Sequence, residues 1–307
     1  MTSGSRRRST RATLTLHAHA KINLDLRVSD PAADGMHDVT TVLQSIALHD
    51  TLRLRPSGGG FTIRCATEGV PLDERNLIWV GARALWRRLG RRGDPNGVDL
   101  VLFKRIAMQA GLGGGTADAV TALLGLCQLW EVAPKAALLQ EVASEVGADG
   151  PFFLVGGTAL GIGRGDQVYP LDELARRWVV LLLPTRGVST AAAYGWLDRD
   201  RAARRRGPGP RRPPVAGGAL DLGAMTNELQ APVVRRRPEI RRAIGLVRDA
   251  GAEMAAMTGS GSAVYGLFRA RRAAAVAVAH ARASGWRALL TTTLSRRQRT
   301  GTWQRAS

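Results

Sequence analysis

The sequence of 307 residues predicts an α+β fold in two domains. Its length fits two units at roughly 100–200 residues per domain, enough for each to bury a core. Apolar residues occupy every second position from Leu14 to Val28, the period of a half-buried strand, whereas Ala119, Val120, Leu123, Leu124 and Cys127 mark one face of a helix over Thr116–Trp130. Strand-like and helix-like segments interleave without the βαβ spacing of a doubly wound parallel sheet.

In chain order, further strands are predicted at Val42–Leu54, Phe61–Cys65 and Val98–Phe103, with a helix over Asn76–Leu89. The helix over Pro134–Val146 opens on a proline, which a first helical turn accepts. Phe152–Gly161 reads as strand-rich, Gly156–Gly165 as bends in strands, and Trp178–Leu183 as a fully buried strand. A helix near Pro238–Ala250, a strand at Ala263–Phe268, a helix at Ala270–Ala283 and a strand at Leu289–Leu294 complete the pattern. A boundary near Tyr169–Leu171 gives domains of residues 13–170 and 171–295.

The formal net charge is +19, from 44 basic and 25 acidic residues, and only Lys21, Lys104 and Lys135 among the basic ones are lysine. Thirteen of the nineteen charges fall in three segments: residues 1–11, 198–212 and 296–307. With little apolar surface to bury, residues 1–12 are expected to be a disordered tail, 198–214 a basic loop and 296–307 a second tail. Aromatics do not interleave with these arginines, and no zinc-finger or RNP-like spacing occurs, so nucleic-acid binding is a weak alternative. Apolar runs such as Trp178–Leu183 fall far short of the ~20 residues of a membrane span. Cys65 and Cys127 form neither a disulfide framework nor a CxxC pair, and no signal-peptide core precedes the first strand, which points to a reducing, cytoplasmic setting.

The most informative segment is Lys104–Asp118, KRIAMQAGLGGGTAD, between a strand and the clearest helix. Gly111, Gly113, Gly114 and Gly115 strip side chains from the turn that feeds the helix N-terminus, where free N–H groups and the positive end of the dipole favour phosphate. No Gly-Lys-Ser/Thr follows, so this is not a Walker loop, and Thr116 stands where a dinucleotide fingerprint needs its last glycine. A second loop, Thr258–Ser262 (TGSGS), precedes a predicted strand.

AMQAGLGGGTADAV (Ala107–Val120) and the late Gly259-Ser260-Gly261 resemble two motifs of the GHMP kinases, ATP-dependent kinases of small-molecule alcohols. AKINL (Ala20–Leu24), DGMH (Asp34–His37), DERNLI (Asp73–Ile78), GADGPFF (Gly147–Phe153), GRGD (Gly163–Asp166) and NELQ (Asn227–Gln230) resemble, in order, the branch that phosphorylates the 2-hydroxyl of 4-diphosphocytidyl-2-C-methyl-D-erythritol in non-mevalonate isoprenoid synthesis. The match runs from about Leu14 to Leu294. It implies an N-terminal domain like the second domain of ribosomal protein S5, a ferredoxin-like C-terminal domain, and a site in the cleft between them. Another GHMP kinase with a different alcohol is the nearest alternative, and the resemblance leaves monomer or homodimer open.

By resemblance, Asp149 takes the substrate proton and Lys21 neutralises developing charge, the two catalytic residues. Ala107, Met108, Gln109, Ala110, Gly111, Leu112, Gly113, Gly114, Gly115, Thr116 and Ala117 wrap the triphosphate of ATP, with Asn76 and Lys104 near adenine and ribose and the Thr116 hydroxyl on phosphate or Mg²⁺. Asn23 places the acceptor, His37 hydrogen-bonds cytosine, and Thr190 and Tyr194 close the cytidine side. The sequence departs from the family pattern at four places. Met36 replaces an aromatic that stacks on the base, Ala107 replaces a proline, and Thr116-Ala117 replaces Ser-Ser. Gly150 replaces a β-branched residue, which is expected to loosen the support of Asp149.

Overall fold

The computed structural model describes residues 13–204, 215–216 and 219–300. The expected N-terminal tail and most of the basic loop lie outside them. The elements run β1 (Leu14–Pro31), β2 (His37–Cys65), α1 (Leu77–Arg88), β3 (Asn96–Phe103), α2 (Gly114–Leu129), α3 (Ala136–Val146), α4 (Gly150–Val155), β4 (Thr158–Ile162) and β5 (Gln167–Pro170). Then come β6 (Trp178–Leu183), α5 (Thr190–Arg204), β7 (Val215–Ala216), β8 (Ala219–Leu220), α6 (Gln230–Arg236), α7 (Pro238–Asp249), β9 (Met254–Met257), β10 (Val264–Phe268), α8 (Arg271–Ala283), β11 (Arg287–Thr292) and α9 (Arg296–Thr300).

β1 to β5 form one sheet in the order β1-β2-β4-β5 with β3 on the far half of β2, and α1 and α2 cover one face through Leu16, Leu52, Leu54, Val120 and Leu126. β6, β9, β10 and β11 form an antiparallel sheet in the order β11-β6-β10-β9, the ferredoxin-like pattern. Its helical face is closed by Leu197, Ile240, Ile244, Val247 and Ala277.

β1 is not half-buried. From Ala18 to Val28 both of its faces are covered, because Ala20, Ile22 and Leu24 pack against Val179 and Leu181 of the second sheet. Leu26 and Val28 go further and join the C-terminal core. Lys21, Asn23 and Asp25, expected on an open strand face, are therefore buried. The expected strand start at Phe152 is instead α4, begun by Pro151 in its first turn and ended by Gly156 and Gly157 at φ +69° and +67°, values that favour glycine.

Two expectations about charge are corrected. α5 continues to Arg204, so Asp198–Arg204 is helix rather than loop: Asp200 pairs with Arg235 and Arg236, and Arg201 donates to the Val28 carbonyl at 2.7 Å. Arg296–Thr300 is helix rather than tail. The buried Arg299 guanidinium donates to the Phe153 carbonyl at the end of α4, and burial lowers its pKa to about 10.

His17, His19 and His49 cluster where β1 meets β2, with ring centroids 4.2 Å apart for His17–His49 and 5.2 Å for His19–His49. Burial, then the charges of His49 and Arg299, lowers His19 to about 3, and burial also lowers His17. A base whose folded pKa is depressed binds its proton more readily when unfolded, so stability is complete above about pH 6.5 and falls below it. For His19 alone the expected loss between pH 6.5 and 5 is about 2 kcal/mol. Urea midpoints across that range would show it, with a shallower fall in His19→Asn; parallel slopes would exclude His19 as the source.

Candidate active site

Two cavities meet at the glycine loop. One, of about 510 Å³, lies between the domains and is lined by Lys21, Asn23, Thr41, Asp149, Arg164, Tyr194 and the Gly259–Gly261 loop. The other, of about 480 Å³, is lined by Asn76, Leu77, Lys104, Asp118 and every residue from Ala107 to Thr116. Gln109, Gly111, Gly113, Thr116 and Thr190 border both. A group passing from one cavity to the other must cross at these five residues.

Gly113 ends the loop at φ +69° and serves as N-cap of α2 without a side-chain cap. The first α2 N–H groups, which lack partners within the helix, are left for an anion, and no acidic residue stands in the first turn to oppose one. A Cβ on Gly113 would lie 2.7 Å from Phe153 and 3.2 Å from Lys21, so only glycine fits between the loop and the lysine. Gly111, at φ +75°, leaves room for the second loop; a Cβ there would stand 2.2 Å from the Thr258 carbonyl oxygen. Leu112 is buried, but its carbonyl accepts the Lys21 N–H at 3.1 Å, which ties the loop to β1.

Lys21 Nζ lies 3.0 Å from Asp149 Oδ2 and donates to Asn23 Oδ1 at 2.7 Å. The lysine is buried while Asp149 keeps about a third of its side-chain surface. One charge is thus fixed below a carboxylate that a substrate can reach. Asn23 Nδ2 donates to Thr41 Oγ1 at 2.8 Å, leaving the amide fully oriented. Tyr194 faces the same cavity, and burial, helped by the Asp149 charge, raises its phenol to about 12, so it stays a neutral group.

Gly150 does not loosen Asp149. It packs so closely on the end of α3 that a Cβ would lie 1.8 Å from the Ala143 carbonyl oxygen, and its N–H donates to Gly147 at 2.8 Å. Asp149 is held by this contact at the N-cap of α4.

Other expected contacts differ in detail. Ala117 does not face either cavity; its side chain is buried in the first core and its N–H donates to Gly113 at 2.9 Å. Asn76 borders the second cavity, yet its amide is spent on capping α1 (2.9 Å to the Ile78 N–H) and on the Pro71 carbonyl (2.6 Å). Lys104 lies beneath the loop as a structural cation, bonded to both Asp50 and Asp118, the latter at 2.7 Å. Burial would lower it, but the two carboxylates outweigh that and hold its pKa up. Burial, helped by the Asp50 carboxylate, pushes Asp118 well above the carboxylate range against the pull of Lys104. His37 stands 5.2 Å from the Tyr194 ring, with Nδ1 3.0 Å from the Ser29 carbonyl and Nε2 3.2 Å from Asp198, so reading a base through Nε2 requires Asp198 to swing away. Met36 is exposed and lines neither cavity.

The sequence marked Thr258 and Asn227 only as the first residues of the TGSGS and NELQ segments and gave neither a role. Thr258 Oγ1 accepts the Asn23 N–H at 3.0 Å and donates to Gly111 at 3.3 Å. Asn227 Nδ2 donates to the Met257 and Gly259 carbonyls, each at 2.8 Å, while the Glu228 N–H donates to the Leu26 carbonyl at 2.9 Å. The NELQ segment thus fastens the late glycine loop to β1. Among the described residues no group of three or more His, Cys, Asp or Glu could hold a metal ion, and no helix is long and apolar enough to cross a membrane.

A phosphate cradle opening onto a Lys–Asp pair suits phosphoryl transfer between two small molecules. Family models agree: GHMP kinases N terminal domain matches residues 76–157 and GHMP kinases C terminal matches 215–285. Fold and site together define a GHMP kinase.

Curated relatives narrow this. The chain is 40% identical over 270 residues to a 4-diphosphocytidyl-2-C-methyl-D-erythritol kinase of Moorella thermoacetica, covering 83% of this chain and 90% of that one. It is 37% identical over 280 residues to that of Deinococcus radiodurans, covering 88% and 91%. A crystal structure of 4-(cytidine 5'-diphospho)-2C-methyl-D-erythritol kinase superposes with a TM-score of 0.77 at 32% identity, over 91% of this chain and 99% of that one. A homoserine kinase from Cytophaga hutchinsonii, at 17% identity and a TM-score of 0.69, shares the fold over 96% of this chain and 99% of its own. The chain belongs to the 4-diphosphocytidyl-2-C-methyl-D-erythritol kinase family.

Proposed function

We propose that the protein transfers the γ-phosphoryl group of ATP to the 2-hydroxyl of 4-diphosphocytidyl-2-C-methyl-D-erythritol. The observation that carries this reading is the 3.0 Å Lys21–Asp149 pair, placed in the cavity that adjoins the uncapped N-terminus of α2. ATP would lie in the cavity along Ala107–Thr116, with its triphosphate over Gly113–Thr116. The acceptor would lie in the other, with its hydroxyl against Asp149 and oriented by Asn23. The hydroxyl oxygen attacks phosphorus, the bond to the bridging oxygen of ADP breaks, and Asp149 takes the hydroxyl proton. Lys21, fixed by Asn23, pairs with Asp149 and faces the charge that develops on the transferring group.

Thr116 Oγ1 fits a divalent cation that needs few protein ligands: it borders both cavities, and Gly147 spares it a Cβ that would stand 3.2 Å away. Mg²⁺ held there would neutralise the triphosphate. Thr190, 3.1 Å from Ser260 Oγ, and Tyr194 would close over the cytidine side, with His37 at its edge. The free thiols of Cys65 and Cys127 fit a cytoplasmic enzyme.

The test is ADP release by the purified protein with Mg²⁺ and ATP, with and without the cytidylylated substrate, and with homoserine or mevalonate in its place. Release dependent on the cytidylylated compound alone is expected. Equal release with either other alcohol, or none with any, would reject the reading.

A further inference from the structure

We infer that Arg164 binds the diphosphate of the acceptor substrate and that Asp34 holds its place until the substrate arrives. This rests on the function proposed above. Arg164 follows β4 in a turn expected only to bend the chain, yet it lines the same cavity as Lys21 and Asp149. The turn reaches the catalytic carboxylate: a Cβ on Gly165 would lie 3.7 Å from the Ala148 carbonyl and 3.8 Å from Asp149 Oδ1.

Lys21 and Arg164 are the two cationic side chains among the lining residues described for this cavity. Lys21 is held by Asp149 and Asn23 at the reacting end of the cavity, which leaves Arg164 as the cation for the diphosphate. The substrate nonetheless brings a diphosphate between its base and its reacting hydroxyl. A guanidinium is the side chain whose fork matches phosphate oxygens.

In the free protein Arg164 pairs with Asp34, in the turn before β2, with about half of each side chain exposed. An ion pair that open to water contributes little and is easily exchanged. Asp38 and Asp166 add negative charge nearby, and Asp166 Oδ1 accepts the Arg164 N–H at 3.2 Å. These acids keep the guanidinium at the cavity wall. A diphosphate that reached the guanidinium would compete with the Asp34 carboxylate for it.

The two sides of the pair give opposite predictions. Arg164→Gln is expected to raise KM for the cytidylylated substrate, and Kd for CDP by calorimetry, about ten- to hundredfold, with kcat and KM for ATP little changed. Asp34→Asn keeps the bond to the Met36 N–H, now 3.0 Å, but loses the competing charge, so both constants should fall or stay level. If the pair only ties two turns together, the variants will weaken binding equally; that result, or an unchanged Arg164→Gln, overturns the inference while wild-type turnover leaves the kinase reading standing. A wild-type protein that neither binds CDP nor releases ADP with the substrate overturns both.

Discussion

Asp149→Ala is expected to lower kcat by about 10²–10⁴-fold, the range for removing a positioned proton acceptor. KM for ATP should stay within about twofold, since a group acting only in the transition state contributes little to ground-state binding. The split follows from placement: Asp149 lines the acceptor cavity and is absent from the wall of the other. Asp149→Asn serves as the control for shape. Its amide keeps the volume and can still accept from Lys21 but cannot take a proton, so it should be as inactive as alanine. Steady-state kinetics on both variants checks this, and near-normal turnover in either would remove Asp149 as the base.

Lys104→Met should be the most destabilising single change in the nucleotide half of the site. It leaves the Asp50 and Asp118 carboxylates facing each other without the ammonium that both contact, a loss of about 3–5 kcal/mol for breaking a buried pair. Asp50 Oδ1 also accepts the Ile106 N–H at 2.8 Å, so the damage would spread into the segment leading to the glycine loop. Adding Asp118→Asn should recover a large part of the stability, because Asp50 keeps its backbone donors and no longer faces a second charge. Urea unfolding of the single and double variants tests this. A loss below about 1 kcal/mol would mean that Lys104 behaves as a surface pair and not as a buried one.

Much of the site was legible because its chemistry is local in sequence. The glycine loop and the start of the helix it feeds lie within the fifteen residues Lys104–Asp118, and the turn that carries Asp149 directly follows α3. What was not legible depends on contacts across the chain. The partners of Lys104 lie 54 and 14 residues away, and nothing in the local pattern around Asp50 marks it as one. The alternation of β1 gave the strand but not the burial of its polar face, since a period of two does not say that Thr41, Thr226 and Thr258 close over Asn23 and Asp25. Gly150 misled for the same reason: its tight fit is set by Ala143, on the preceding helix. Arg299 looked like part of a solvated run because composition alone does not show that the left-handed Gly156 leaves it a slot.

β1 contributes Leu14, Leu16 and Ala18 to one core and Leu26 and Val28 to the other, with Lys21 between. Cutting the gene between the two sheets would therefore not yield two working modules. The first fragment would carry apolar side chains made for a partner it lacks, and the second would miss part of its own interior. Expressed separately, the halves should aggregate or remain unfolded, and mixing them should restore activity only as far as they reassemble. Calorimetry of the intact chain should accordingly show one melting event, in which the catalytic lysine's strand is lost together with both halves.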